Sequence, residues 1–203
     1  MNERLDILLI EDDEQHAQCI KEQLMKTKEL LEQWHILERI GFDDLNVEWI
    51  YGSERIDNKR GNIYYHFSDS DMNKIQKKVR EMQNNNPHTG ILMDVILTKE
   101  EQERAGVNDF SKIKFSKDIL DYYEPKTGQK CNIYLTTGLR NFGTLAWGIY
   151  GRENMEHRYI PKSLIKEYPS RKAIAGVFYW LYHKKQLPES ISCEIEEREL
   201  EDI

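Results

Sequence analysis

Residues 5–10 read LDILLI, and the run stops abruptly at four consecutive acids, Glu11, Asp12, Asp13 and Glu14. A short apolar run bounded by charge is the pattern of a strand buried on both faces, as in a parallel sheet. Its carboxyl end then opens into solvent carrying acids. Two later segments repeat the arrangement. GILM at 90–93 runs into Asp94, and CNIYL at 131–135 runs into Thr136, Thr137 and Gly138. A shorter one, Arg158, Tyr159 and Ile160, ends in Pro161, Lys162 and Ser163.

Between these runs apolar residues recur at helical spacing. They are Ala17, Ile20, Leu24, Leu31 and Trp34; Met72, Ile75, Val79 and Met82; Phe110, Ile113, Ile119 and Leu120; Phe142, Leu145, Ala146 and Ile149; and Ile174, Val177, Phe178 and Leu181. Strands alternating with helices predict an α/β fold, a doubly wound, mainly parallel five-stranded sheet with helices on both faces. Residues 47–51 also read as a strand. DNKRG at 57–61 is a turn signal and 62–67 reads as the returning strand, so an inserted β-hairpin is expected. Residues 98–108 read as a polar loop, and Lys126, Thr127 and Gly128 as a break.

The chain has 203 residues, of which 1–188 read as one domain with an insertion at about 36–67. Residues 189–203 read as an acidic, solvated tail. The net charge of −7 disfavours generic nucleic-acid binding, which uses a basic face. Three cysteines, Cys19, Cys131 and Cys193, are widely spaced and form no metal-binding motif, so reduced thiols are expected. The six histidines form no spaced pair on one face and are assigned to structure or surface. No signal-peptide-like or membrane-length apolar stretch is present, and a cytoplasmic protein is expected.

In a doubly wound sheet, ligands bind beyond the carboxyl ends of the strands. Those ends carry Glu11 and Asp12, then Asp94, then Thr136 or Thr137, then Lys162. Clustered carboxylates repel one another unless a cation compensates them, which points to a hard divalent ion, Mg²⁺ or Mn²⁺. A carboxylate beside such an ion can attack phosphorus. The phosphoryl oxygens then need a hydroxyl donor and a positive charge, which a threonine and a lysine supply.

Four segments, ILLIEDDE at 7–14, ILMDVIL at 91–97, IYLTTG at 133–138 and YIPKSL at 159–164, occur in the order found in response-regulator receiver domains, and the chain resembles that family. The resemblance implies a flavodoxin-like receiver fold with Asp94 as phosphoacceptor. It implies Asp12 as direct metal ligand, Glu11 acting on the metal through water, and the Ile96 backbone carbonyl as a third protein ligand. Thr136 corresponds to the switch hydroxyl, with Thr137 as the alternative, Lys162 to the phosphoryl-binding lysine, and Tyr159 to the aromatic switch residue. The chain departs from the family in its long segment before Asp94, in Thr98 where a proline is usual, and in Pro161 preceding Lys162.

By the same resemblance, the phosphodonor would be a histidine kinase or phosphotransfer protein. The only chemistry would be phosphorylation and dephosphorylation of the chain's own aspartate, so it would not be an enzyme acting on others. Output would pass through a protein partner or self-association, using the fourth and fifth helices and the fifth strand, with no direct nucleic acid or membrane contact. The alternative is a phosphorylation-independent pseudo-receiver serving as a docking or scaffold module. An aspartyl phosphatase of the haloacid-dehalogenase type is disfavoured, because Ile96 stands where that chemistry needs a second aspartate.

Overall fold

The computed structural model describes residues 3–57, 62–105, 110–124, 132–139, 142, 149–150 and 158–201. Five strands form one parallel sheet: β1 (Arg4–Ile10), β2 (Asp44–Ile50), β5 (Thr89–Asp94), β6 (Asn132–Thr137) and β7 (Tyr159–Pro161). Their spatial order is β2-β1-β5-β6-β7. This is the flavodoxin-like doubly wound order, in which the chain reverses direction across the sheet between β1 and β5.

The apolar runs form strands because both faces of the sheet are covered. Leu5, Ile7 and Leu9 of β1 enter one core, and Leu8 and Ile10 enter the other, following the two-residue alternation of a strand. The first core is closed by α1 (Glu14–Gln33) and α7 (Arg171–His183), through Ala17, Ile20, Leu24, Ile174, Val177 and Phe178. The second is closed by α3 (Asp71–Asn85) and α5 (Phe115–Tyr123), through Ile75, Val79, Ile119 and Leu120. Short helices α2 (Leu37–Ile40), α4 (Lys99–Ala105) and α6 (Ser163–Lys166) complete the connections. Among the described residues no helix is long and apolar enough to cross a membrane.

The inserted hairpin is present, but its strands are β3 (Glu54–Asp57) and β4 (Ile63–His66), paired antiparallel. The segment around Val47 belongs instead to β2, an edge strand of the main sheet in parallel register with β1, Ile7 opposite Val47. The insertion is therefore shorter than 36–67. Gly52 leads into it, and a Cβ there would lie 2.0 Å from the His66 carbonyl oxygen, so only glycine fits this crossing of backbones.

Two expectations are corrected. Residues 99–105 of the expected polar loop form α4, because Thr98, Lys99, Glu100 and Glu101 make a capping box. The acidic tail is helix α8 (Glu189–Glu201), which buries Ile191 and Ile195 in the first core while most of its acids are exposed. Two isoleucines four residues apart dock it, with Glu199 accepting from the Arg171 N–H and Glu194 pairing with Arg39. The hairpin turn at 58–61, Cys131, the break at 126–128, residues 106–108, and Leu145, Ala146, Trp147 and Gly151 lie outside the described residues.

Candidate metal centre

A parallel sheet points every strand's carboxyl end to the same rim, so residues far apart in sequence meet there. Glu11 and Asp12 follow β1, Asp94 ends β5, and one carboxylate oxygen from each lies within 4.8 Å of the other two. All three residues are buried. Lys162, just past β7, enters between them, with Nζ 2.7 Å from Asp94 Oδ2 and 2.8 Å from Glu11 Oε1. Asp94 Oδ1 accepts a hydrogen bond from the Val95 N–H at 2.7 Å.

Thr136 stands opposite Asp94 in the β5–β6 register, so the two side chains leave the sheet on the same side. Its hydroxyl is buried and, among the described residues, makes no hydrogen bond. The Thr137 hydroxyl is already engaged, accepting from the Leu139 N–H at 3.0 Å. Tyr159 is half-buried and packs edge-on against Phe142 at 5.0 Å. Tyr159, Thr137, Lys162 and His16 line a cleft of about 400 Å³ that opens beside the lysine. Ile96 is half-buried in the turn two residues after Asp94.

Three carboxylates face one ammonium, so ionising all three would leave two negative charges where water is largely excluded. Burial pushes Asp12 up, and the charges of Asp94 and Glu11 add to it, raising its pKa to about 8. Burial also raises Asp94, to about 6; Lys162 opposes the shift and Glu11 adds to it. For Glu11, burial is outweighed by Lys162 and His16, and its pKa falls below the ordinary value. Burial likewise disfavours the Lys162 charge, but Asp94 and Glu11 outweigh it and hold its pKa above the usual lysine value. Asp12 is thus the carboxylate whose charge the protein compensates least, and among the described residues Glu11 Oε2 is buried without a hydrogen-bond partner. Oxygen donors only, with two excess negative charges once all three carboxylates are ionised and an unfilled acceptor, fit a hard divalent cation. The cluster can hold a metal ion.

The backbone of the acid pair is held from two sides. Trp49 of β2 donates its indole N–H to the Glu11 carbonyl at 2.9 Å, and Tyr65 of β4 donates its N–H to the Asp12 carbonyl at 2.6 Å. Asp13 caps α1, its Oδ1 accepting from the His16 N–H at 3.0 Å.

Three residues near the centre carry no signal in the sequence pattern used above. His16 Nδ1 lies 3.6 Å from Glu11 Oε1 and 3.4 Å from Lys162 Nζ. His66 Nε2, brought by the hairpin, lies 3.5 Å from Asp12 Oδ2. Glu101 organises the chain after Asp94. Its Oε2 accepts from the N–H groups of Leu97 and Thr98, and its Oε1 from those of Lys114 and Phe115. The T-x-x-E box at 98–101 was the readable signal for Glu101. For His66 no local spacing exists, because tertiary contact alone brings it to Asp12, whereas His16 is local, in the first turn of α1 three residues after Asp13.

Comparisons of the chain with protein-family models, with curated proteins and with solved structures each give no match.

Proposed function

We propose that this chain is a phosphorylation-controlled signalling receiver that accepts a phosphoryl group on Asp94 from a phosphohistidine, with Mg²⁺ or Mn²⁺ held by Glu11, Asp12 and Asp94. The observation that carries the reading is the meeting of three buried carboxylates with Lys162, which bridges Asp94 and Glu11. In the transfer, an Asp94 carboxylate oxygen forms a bond to phosphorus as the phosphorus–nitrogen bond of the donor breaks and the imidazole departs. The cation, when bound, supplies positive charge to the transferring phosphoryl oxygens.

The chain's own groups do the rest. Lys162 offsets the negative charge on Asp94 and is within reach of an oxygen on the new acyl phosphate. Thr136 offers a hydroxyl with no competing partner on the side of the sheet that Asp94 faces. Its movement toward the phosphoryl group changes the packing on the face of the sheet that Thr136 shares with Ile160, which biases the output surface. The partners are then a histidine kinase or phosphotransfer protein upstream, and a protein or a second copy downstream.

The test is thermal melting with Mg²⁺ alone and with Mg²⁺ plus beryllofluoride, a phosphoryl mimic, in wild type and Asp94→Asn. A ligand that binds only the folded state raises the melting temperature by mass action. A rise in wild type that is absent from the variant is expected. No rise in either would overturn the reading and favour a phosphorylation-independent docking module.

A further inference from the structure

His66 is 3% exposed, and among the described residues neither of its ring nitrogens has a partner at ordinary hydrogen-bond distance, the Gln102 side chain making only a weaker approach. Leaving a buried polar group unsatisfied costs roughly 1–3 kcal/mol, so such a group calls for an explanation. Its Nε2 lies 3.5 Å from Asp12 Oδ2, just beyond hydrogen-bond distance. The imidazole is brought there by the backbone. The Tyr65 N–H binds the Asp12 carbonyl, Tyr64 bridges Asp13, and the Phe67 N–H binds the Leu97 carbonyl at 2.9 Å in the turn after Asp94. The hairpin is thus tied to both acid-bearing loops, on either side of His66.

We propose that His66 is a positioning residue of the metal centre, its Nε2–H holding the outer oxygen of Asp12 so that the other oxygen faces the cation. The inference rests on the metal-dependent reading above and adds the inserted hairpin to that site. His66 is not itself a ligand of the set, since the mutually close oxygens come from Glu11, Asp12 and Asp94. It acts through Asp12. Closing the 3.5 Å gap by about half an ångström gives an ordinary N–H···O bond. Carboxylates that bind metals are commonly fixed by such outer hydrogen bonds, and losing one weakens metal binding about 10–100-fold.

The experiment measures Mn²⁺ affinity of the full chain by electron paramagnetic resonance at one pH, for wild type, His66→Phe and His66→Gln. Phenylalanine keeps the ring without a donor. Glutamine restores an N–H near the Nε2 position. The expected result is an affinity about 10–100-fold weaker for His66→Phe, recovered largely by His66→Gln. In wild type, the His66 Nε2 resonance should shift when Mg²⁺ is added, a readout that does not depend on either variant folding. An unshifted resonance would overturn the proposal. So would a His66→Phe protein that binds Mn²⁺ as wild type does, or a folded His66→Gln no better than phenylalanine. If wild type itself binds neither ion, the metal reading fails together with this inference. If wild type binds and His66 proves irrelevant, only this inference falls.

Discussion

Lys162 and Asp94 stand 68 positions apart in the chain, and their side chains meet at 2.7 Å in a largely buried ion pair. The same ammonium contacts Glu11, so one cation serves two buried carboxylates. Removing one partner of a buried pair leaves an uncompensated charge and costs about 3–5 kcal/mol. Lys162→Met should therefore lower metal-free stability by about that amount in urea denaturation at pH 7. Asp94→Asn leaves Lys162 paired with Glu11 and reduces the excess charge, so it should be neutral or stabilising. Equal losses in the two variants would contradict this account of the cluster.

Asp12 sets a pH dependence of definite sign. The unfolded chain releases its proton near the ordinary value of 3.8, whereas the folded protein holds it up to about 8. Between those values the native state binds more protons than the unfolded one, so metal-free stability falls as pH rises. Asp94 adds to the fall between 3.8 and about 6. The slope from Asp12 alone is at most about 1.4 kcal/mol per pH unit. Asp12→Asn should flatten it. Divalent-ion affinity should move the other way and tighten with rising pH, because the ligand must be deprotonated. Urea curves at several pH values, with and without Mg²⁺, measure both.

Glu101 fastens the turn after Asp94 to the start of α5 through four backbone N–H groups. In Glu101→Gln the amide NH₂ would face two of those donors. Hydrogen bonds to a charged group contribute about 1.5–3 kcal/mol each, so a loss of about 3 kcal/mol is expected. Amide exchange should quicken at Leu97, Thr98, Lys114 and Phe115. The exposed neighbour Glu100 is the control, and Glu100→Gln should change stability by less than about 0.5 kcal/mol.

Helix α8 is part of the fold. Ile195 is fully buried in the first core, and Ile195→Ala should lose about 2–5 kcal/mol in chemical denaturation. Cys193, exposed on the same helix, should tolerate alanine. An unchanged midpoint for Ile195→Ala would mean that the helix is not docked in solution.

Most of the sheet was legible because its central strands are short, mainly apolar and bounded by charge, a pattern that burial on both faces explains. Reading the rim followed from the same fact. Once β1, β5, β6 and β7 run parallel, Glu11, Asp12, Asp94, Thr136 and Lys162 must share one end of the sheet. What misled was strand partnership. Val47 and its neighbours have the composition of a strand, but nothing local distinguishes the edge of the main sheet from one arm of a hairpin. Helix α8 was hidden for a related reason, since two isoleucines among acids are a weak periodic signal until a core exists to receive them.

The sequence by itself determined the type of each principal element and the set of charged groups at the strand ends. Those properties reside in short windows, where periodicity and the abrupt change from apolar to acidic residues are sufficient. Only the tertiary structure decided that β2 pairs with β1, that Thr136 faces with Asp94 while Thr137 is bound to its own loop, and that His66 reaches Asp12 and Glu101 reaches α5. These are contacts across long chain separations. They are selected by the free energy of the whole packed molecule, which no local window contains.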